Sequence, residues 1–292
     1  MPFSYVEMMR GFGLGDFAEL PSFQPVKPAP IQAKLSEAKL GMFATVGAHL
    51  PSQRSFQPTN DLTFRLVPLD VPVSELVFDH PSPIRNFAVA DLNVVFPRDR
   101  LVEMQADGVF AELAPTAVSM LGSITKYTEL VEQSAPAIAD VYVEQGVDLV
   151  LMVPFCPACH RATHMISRAL EARGIPCVTM SALHEMSEAF KPARPVFADF
   201  PLGATVGRPH DPAMQRDVLE ATLAVASQPT TPWHITQLPQ VWSADRKWEE
   251  DVRAVYEEEH GKGVHRARVA AHMRDGQGLV GREQELDISC AC

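Results

Sequence analysis

The chain has 292 residues, 46 % hydrophobic and 21 % charged, a globular balance that excludes a disordered tail, a coiled coil or a collagen-like fibre. Acidic residues outnumber basic ones 36 to 25, a formal charge of −11 that repels a phosphate backbone, and the densest basic stretch, residues 262–268, follows three glutamates, so no nucleic-acid partner is expected. No run reaches the roughly 18 apolar residues of a membrane span, and the first ten residues lack a secretory pattern; the expectation is a cytoplasmic protein that does not engage a membrane.

In chain order, residues 1–35 carry Pro21, Pro25, Pro28 and Pro30 without a steady period and read as an arm, with one short helix near residues 5–11. Strand patterns follow at 40–47, 62–67 and 75–78. Residues 79–100 mix polar side chains with prolines and read as a loop with functional side chains. A helix is expected over 98–106, a short strand over 109–113, and a helix over 123–145 that Pro136 kinks or divides. Residues 147–155 are almost uninterruptedly apolar, as in a strand buried on both faces. Residues 157–173 place Ala162, Ile166, Ala169 and Leu170 on one helical stripe, and 175–180 form the next strand.

Strand, helix and strand joined by short links make a βαβ unit, hence a parallel sheet. The alternation continues with helix 182–190, strand 196–200, a helix capped by Asp211 and a helix capped by Ser243. The fold class is therefore α/β, a parallel or mixed sheet with helices on both faces in Rossmann-like layers, plus an irregular N-terminal arm and a C-terminal tail. The expected organisation is an arm (1–35), a catalytic core (36–242, divisible into 36–122 and 123–242), and a C-terminal helix with a cysteine-bearing tail (243–292).

Five cysteines are too few for a disulfide scaffold. Four form close pairs, Cys156 with Cys159 and Cys290 with Cys292. Cys156-Pro-Ala-Cys159-His160 lies where a buried strand turns into a helix. Pro157 at the first helical position puts Cys156 at the N-cap, where the helix dipole and unpaired N–H groups favour a thiolate below the free value of ~8.5. Cys159 lies one turn on, within reach for a disulfide, and His160 and His164 are candidate proton carriers. A zinc half-site, with Cys156, Cys159 and His164 as ligands, is the alternative. Gly203, Gly207 and Arg208 precede a capped helix and suit a carboxylate or a phosphate. His49, the Asp61/Arg65 pair, His80, Asp91 and Asn93 complete a third group.

Together these segments resemble the selenoprotein B-like family of glycine, sarcosine, betaine and D-proline reductases, in a cysteine-containing version. The resemblance runs from about Gly41 to Trp242. It rests on Gly47-Ala-His49, Phe64-Arg65, His80, Asp91-x-Asn93-x-x-Phe96-Pro97, Cys156-x-x-Cys159, Gly174-Ile-Pro176 and Phe200-Pro-Leu-Gly203-x-x-x-Gly207. It implies that Cys156 stands where selenium-containing members carry the selenocysteine nucleophile, and that Cys159 matches the resolving thiol. Ala162 stands where the glycine-reductase branch has a further cysteine.

The expected function is thiol-dependent cleavage of a C–N or C–S bond in a small carboxylate-bearing substrate. Cys156 attacks, Cys159 resolves, and His160 or His80 supplies the proton. His49, Arg65, Asp91, Asn93, Gly203 and Arg208 hold the substrate, and Cys290 and Cys292 form a redox tail. Two alternatives stay open: a desulfhydrase releasing sulfide from a thiocarbonyl compound without net redox change, and a zinc- or copper-binding protein. An external thiol reductant, a thiol reductant protein as partner, bound zinc and a homo-oligomer are compatible with these readings.

Overall fold

The computed structural model describes residues 2–11 and 20–261. The first helix is α1 (Tyr5–Gly11), followed by strands β1 (Lys39–Ala44), β2 (Ala48–His49), β3 (Arg65–Pro68) and β4 (Val77–Phe78). Helices α2 (Asn86–Ala90) and α3 (Arg98–Ala106) lead to β5 (Glu112–Leu113) and β6 (Thr116–Ser119). Then helix and strand alternate: α4 (Ala135–Gln145), β7 (Leu149–Val153), α5 (Pro157–Ala172), β8 (Cys177–Ser181), α6 (His184–Phe190), β9 (Pro195–Phe197), α7 (Pro212–Ala224), β10 (Thr236–Gln237) and α8 (Trp248–Gly261).

The main sheet has the order β10-β9-β8-β7-β1-β6-β3, with β5 also paired to β1. Every pairing is parallel except β3 on β6, so the sheet is mixed but mostly parallel. β2 and β4 form a separate antiparallel pair. The chain leaves β1 to build β5 and β6 on one side, then crosses to β7 on the other and proceeds outward. β1 and β7 thus flank the point where strand order reverses, and their carboxyl ends, in register at Ala44 and Val153, bound the crevice where open α/β sheets bind ligands.

Both faces of the sheet are buried. Leu40, Met42, Ala44, Leu149, Leu151 and Val153 point into one apolar cluster with Val218 of α7, Met186 of α6 and Trp248 of α8. The alternate residues Phe43, Val150 and Met152 point into a second cluster with Ile138 and Tyr142 of α4 and Ile166 and Leu170 of α5. The period of two along each strand thus explains why β7 reads as a continuous apolar run. Among the described residues, no helix is long and apolar enough to cross a membrane.

The chain's first residues lie against its later ones. The Tyr5 hydroxyl donates to Phe200 O at 3.3 Å and accepts from Leu202 N at 2.7 Å. The Phe3 ring meets Trp248 of α8 edge-on at 5.4 Å. Farther along the arm, Ala29 N donates to Glu171 at 2.6 Å while Arg194 bonds both Glu171 (2.8 Å) and Ala29 O (2.7 Å).

Some elements differ from expectation at their edges. The strand expected over 109–113 is only Glu112–Leu113, because Val109 N returns to Met104 O to close α3. The strand expected over 62–67 is Arg65–Pro68, because Asp61 folds residues 61–63 into a turn by accepting Thr63 N at 3.0 Å. Pro136 does not break the helix around it. It sits in the first turn of α4, and a π-helical turn, Leu130–Ser134, lies immediately before it, where the ring removes an intrahelical donor. The last helix begins at Trp248 rather than at Ser243, whose hydroxyl bonds Asp245 at 2.8 Å.

Candidate functional site

Cys156 caps α5 with extended backbone (φ −97°, ψ 178°), and its sulfur accepts Cys159 N at 3.4 Å. Pro157 costs nothing here, since the first-turn N–H groups have no helical partner. The two sulfurs are 3.3 Å apart, and His80 Nε2 lies 3.1 Å from Cys159 Sγ. Cys159 Sγ is also 3.3 Å from Thr45 O, at the carboxyl end of β1. The three side chains are fully buried at the strand-order reversal.

His80 is held in one tautomer. Its Nδ1 accepts Ser82 N at 3.2 Å, so Nε2 carries the proton and points it at Cys159. The preceding residue, Asp79, accepts from Phe56 N at 2.7 Å and pairs with His49 Nε2 at 2.9 Å. The Phe155 ring packs edge-on to His80 at 4.7 Å. On the other side, Gly122 covers Cys159 so closely that a Cβ there would lie 2.8 Å from the Cys159 Cα and Sγ.

The electrostatics invert the order expected of the two thiols. Burial first, and then the neighbouring Cys159 sulfur, push the Cys156 thiol well above its ordinary range. Burial also acts against a Cys159 thiolate, but the hydrogen bond from Cys156 and the electrostatic attraction and hydrogen bond of the His80 N–H hold Cys159 well below it. The helix N-terminus alone, the basis for expecting a Cys156 thiolate, is outweighed by burial and by the neighbouring Cys159 sulfur.

His160 is not free to move a proton. Its Nδ1 is 2.8 Å from Cys156 O and its Nε2 accepts Ala182 N at 3.0 Å. Burial then lowers it to about 3, so it joins the β7–α5 turn to the end of β8. His164 is likewise occupied, with Nδ1 2.5 Å from His160 O and Nε2 3.1 Å from Ser187 Oγ, and burial lowers it to about 4. Of the cysteines and the histidine expected as a ligand set, Cys156 and Cys159 lie together but with His80 in place of His164, and the ligand atoms of His80, Cys156 and Cys159 all lie within 4.8 Å of one another.

Of the expected substrate-holding residues, the structure brings His49 beside the site, as the partner of Asp79. The others serve the loops that build it. Arg65 donates to the carbonyls of Arg54 (2.8 Å) and Ser55 (3.3 Å) and covers the Phe56 ring. Asp91 caps the turn that contains Asn93 and accepts from Gln215 at 2.7 Å and His210 N at 3.0 Å. Despite desolvation, these donors hold its carboxyl below its ordinary range. Asp91 also lines a cleft of about 630 Å³ with Val73, Leu76 and Ala88. Gly203 meets the Ile84 carbonyl, which a Cβ would approach to 2.6 Å, and neighbouring Thr205 donates to Pro154 O at 2.8 Å, bracing the turn into Cys156. Arg208 pairs with Asp211 at 2.7 Å. Cys290 and Cys292 lie outside the described residues.

Three side chains near the thiols were not singled out from the sequence. Arg161, on α5, hydrogen-bonds the Tyr127 hydroxyl, which burial raises and the Arg161 charge lowers, with Cys156 a further electrostatic neighbour. Tyr256 of α8 is raised by burial and then by the charges of Cys156 and Cys159. A buried arginine beside a cap cysteine is a detectable signal, since cations rarely stand near a helix N-terminus; Tyr127 and Tyr256 look like ordinary amphipathic positions.

Two curated proteins are similar to this chain. D-proline reductase subunit gamma of Acetoanaerobium sticklandii is 27 % identical over 227 residues, covering 78 % of this chain and 94 % of that protein. Sarcosine reductase complex component B subunit beta of Peptoclostridium acidaminophilum is 26 % identical over 204 residues, covering 67 % of this chain and 45 % of that protein. No family model matches the chain, and no solved structure matches it.

Proposed function

With this chain resembling the selenoprotein B-like reductases, we propose that it is an enzyme subunit that reductively cleaves a C–N bond in a small amino-acid-like substrate, with Cys156 and Cys159 as the electron source. The observation that carries this reading is the buried pair of sulfurs 3.3 Å apart with a proton-bearing His80 nitrogen 3.1 Å from the second. Both relatives' names describe parts of multi-subunit reductases, so a protein partner belongs to the proposal.

The chemistry follows from the thiol order. In the resting state Cys156 keeps its proton and donates it towards the Cys159 sulfur, which His80 favours as thiolate. Cys159 therefore serves as the base that frees Cys156 as it attacks the substrate carbon. The nitrogen leaves with a proton relayed through His80, and a Cys156–carbon bond replaces the C–N bond. Cys159 then attacks the Cys156 sulfur, the carbon departs with the S–C electron pair and takes up a proton, and a disulfide remains. Two thiols are oxidised for each bond cleaved, so continued turnover requires an external dithiol. Closing the disulfide moves the sulfurs from 3.3 Å to about 2.05 Å, a shift that side-chain rotation supplies.

Single-turnover experiments on the fully reduced protein test this. One Cys156–Cys159 disulfide per bond cleaved is expected, read by mass spectrometry, with dithiothreitol sustaining further cycles. Cys156→Ser abolishes cleavage, Cys159→Ser stops at the thioether adduct, and His80→Gln slows the step by about 10² or more. Undiminished turnover without a thiol donor would sink the reductase reading and favour the redox-neutral release of sulfide from a thiocarbonyl.

A further inference from the structure

The geometry points to a zinc-binding site formed by His80 Nε2, Cys156 Sγ and Cys159 Sγ, with a fourth coordination position left to solvent or a small ligand. It uses the side chains of the proposed reaction but does not depend on that reaction occurring.

The donor set is the first argument. Two thiolates and one imidazole match the Cys₂His set of open zinc sites. All three ligand atoms are buried and lie within 4.8 Å of one another. They come from two unrelated stretches of chain, the loop after β4 and the turn from β7 into α5, and both stretches are braced. The His80 loop is held by Asp79, which accepts from Phe56 N and pairs with His49; in the loaded form the ring proton sits on Nδ1, in place of the contact with Ser82 N, and Nε2 faces the ion. Cys156 is fixed by the helix cap and Cys159 by the helix itself.

The second argument is size. A tetrahedral ion with bonds of about 2.3 Å to sulfur and 2.0 Å to nitrogen separates its ligand atoms by about 3.8 Å (S···S) and 3.5 Å (S···N). The Cys156–Cys159 and Cys159–His80 separations are 3.3 and 3.1 Å, so these two edges open by roughly half an ångström, within reach of small χ rotations. Linear copper(I) between two thiolates needs a wider S···S separation of roughly 4.5 Å, which the cap geometry opposes.

The third argument is charge. Zinc with two thiolates and a neutral imidazole is electrically neutral, so it suits a fully buried position where a net charge is strongly penalised. Copper(I) with the same ligands carries a net −1. Binding involves no redox step: protons held by the sulfurs are released to solvent and the His80 ring proton passes from Nε2 to Nδ1 as two Zn–S bonds and one Zn–N bond form.

The consequence is an ion that occupies both sulfurs and the imidazole at once, so the zinc-loaded protein is closed to any reaction of the dithiol. The test uses the full chain, reduced and stripped with a chelator, then titrated with Zn²⁺ against a chromophoric competitor. One ion per chain is expected, and Co²⁺ in its place is expected to give tetrahedral d–d bands with charge transfer from two thiolates. Cys156→Ser and Cys159→Ser each weaken binding by more than about 100-fold, and His80→Ala by at least about 10-fold, while His164→Ala leaves it unchanged. A Cys290→Ser/Cys292→Ser double variant retains the stoichiometry. Binding that survives in Cys156→Ser, disappears in the tail double variant, or gives a cobalt spectrum with fewer than two thiolates would overturn the proposal. The cobalt spectrum is read on the unmutated chain, so it decides even if a variant misfolds. Turnover is assayed on chelator-treated enzyme, so failure of the reductase reading and failure of the zinc site are separately visible.

Discussion

His164 shows how burial and two hydrogen bonds fix a polar side chain. Its ring is fully enclosed, donates towards His160 O and meets the Ser187 hydroxyl, and its burial lowers it from 6.5 to about 4. The folded state then binds fewer protons than the unfolded chain between these values. Its contribution to stability is therefore complete above pH 6.5 and is lost progressively as pH falls through 4. Between pH 7 and pH 5 this single group is expected to cost about 2 kcal/mol. Urea unfolding at the two pH values should show His164→Gln losing that much less than the unmodified protein; equal losses would place the acid sensitivity elsewhere. The sequence offers His160 and His80 alike as proton donors, and the structure gives them different surroundings: His160 bonds Cys156 O and Ala182 N, while His80 faces Cys159. What distinguishes His80 is an N–H from Ser82 on one nitrogen and a sulfur on the other, a relation between residues 79 positions apart that no local spacing encodes.

Among the elements, the long ones and the short first helix are legible in the sequence, and the two-residue strands are not. β7, α5, β8 and α7 carry unambiguous periods and caps, and Asp211 caps α7 through Met214 N at 3.0 Å as its sequence suggests. Two-residue strands such as β5 have no period of their own; they exist because a neighbouring strand offers hydrogen bonds. Likewise Asp91, Asn93 and Arg208 look like substrate ligands in sequence because a loop that binds ligands and a loop that binds itself use the same residue types. α8 has a role beyond its own packing. It lies on the turn at residues 83–85, a few positions after His80, and buries Trp248, Val252 and Tyr256. Trp248→Ala is expected to destabilise the protein by about 3 kcal/mol and to raise the alkylation rate of Cys156 and Cys159 by iodoacetamide severalfold without changing that of Cys177. Parallel acceleration of all three cysteines would indicate global unfolding instead of release of this helix.

At the scale of the whole molecule, the buried Glu171–Arg194 pair ties the arm, α5 and the approach to β9 into one unit through Ala29. Burial raises Glu171 to about 7 against the opposing pull of Arg194 and the N–H groups of Ala29 and Cys177. Because this folded value exceeds the unfolded one, the associated stability is complete below about 4.5 and is lost as pH rises through 7. Arg194→Met is therefore expected to cost about 3 kcal/mol at pH 8, where a bare carboxylate would be left behind, and distinctly less at pH 5. Chemical denaturation at both values checks the sign; a pH-independent loss would mean that Arg194 acts by packing. The bond between Tyr5 and Phe200, 195 positions apart, has a consequence for synthesis. At roughly 5–20 residues per second the ribosome takes about ten to forty seconds to deliver its acceptor. Throughout that interval the apolar face of α1, with Tyr5, Met8 and Met9, has no site to occupy, and the nascent chain presents it to whatever chaperones patrol the tunnel exit.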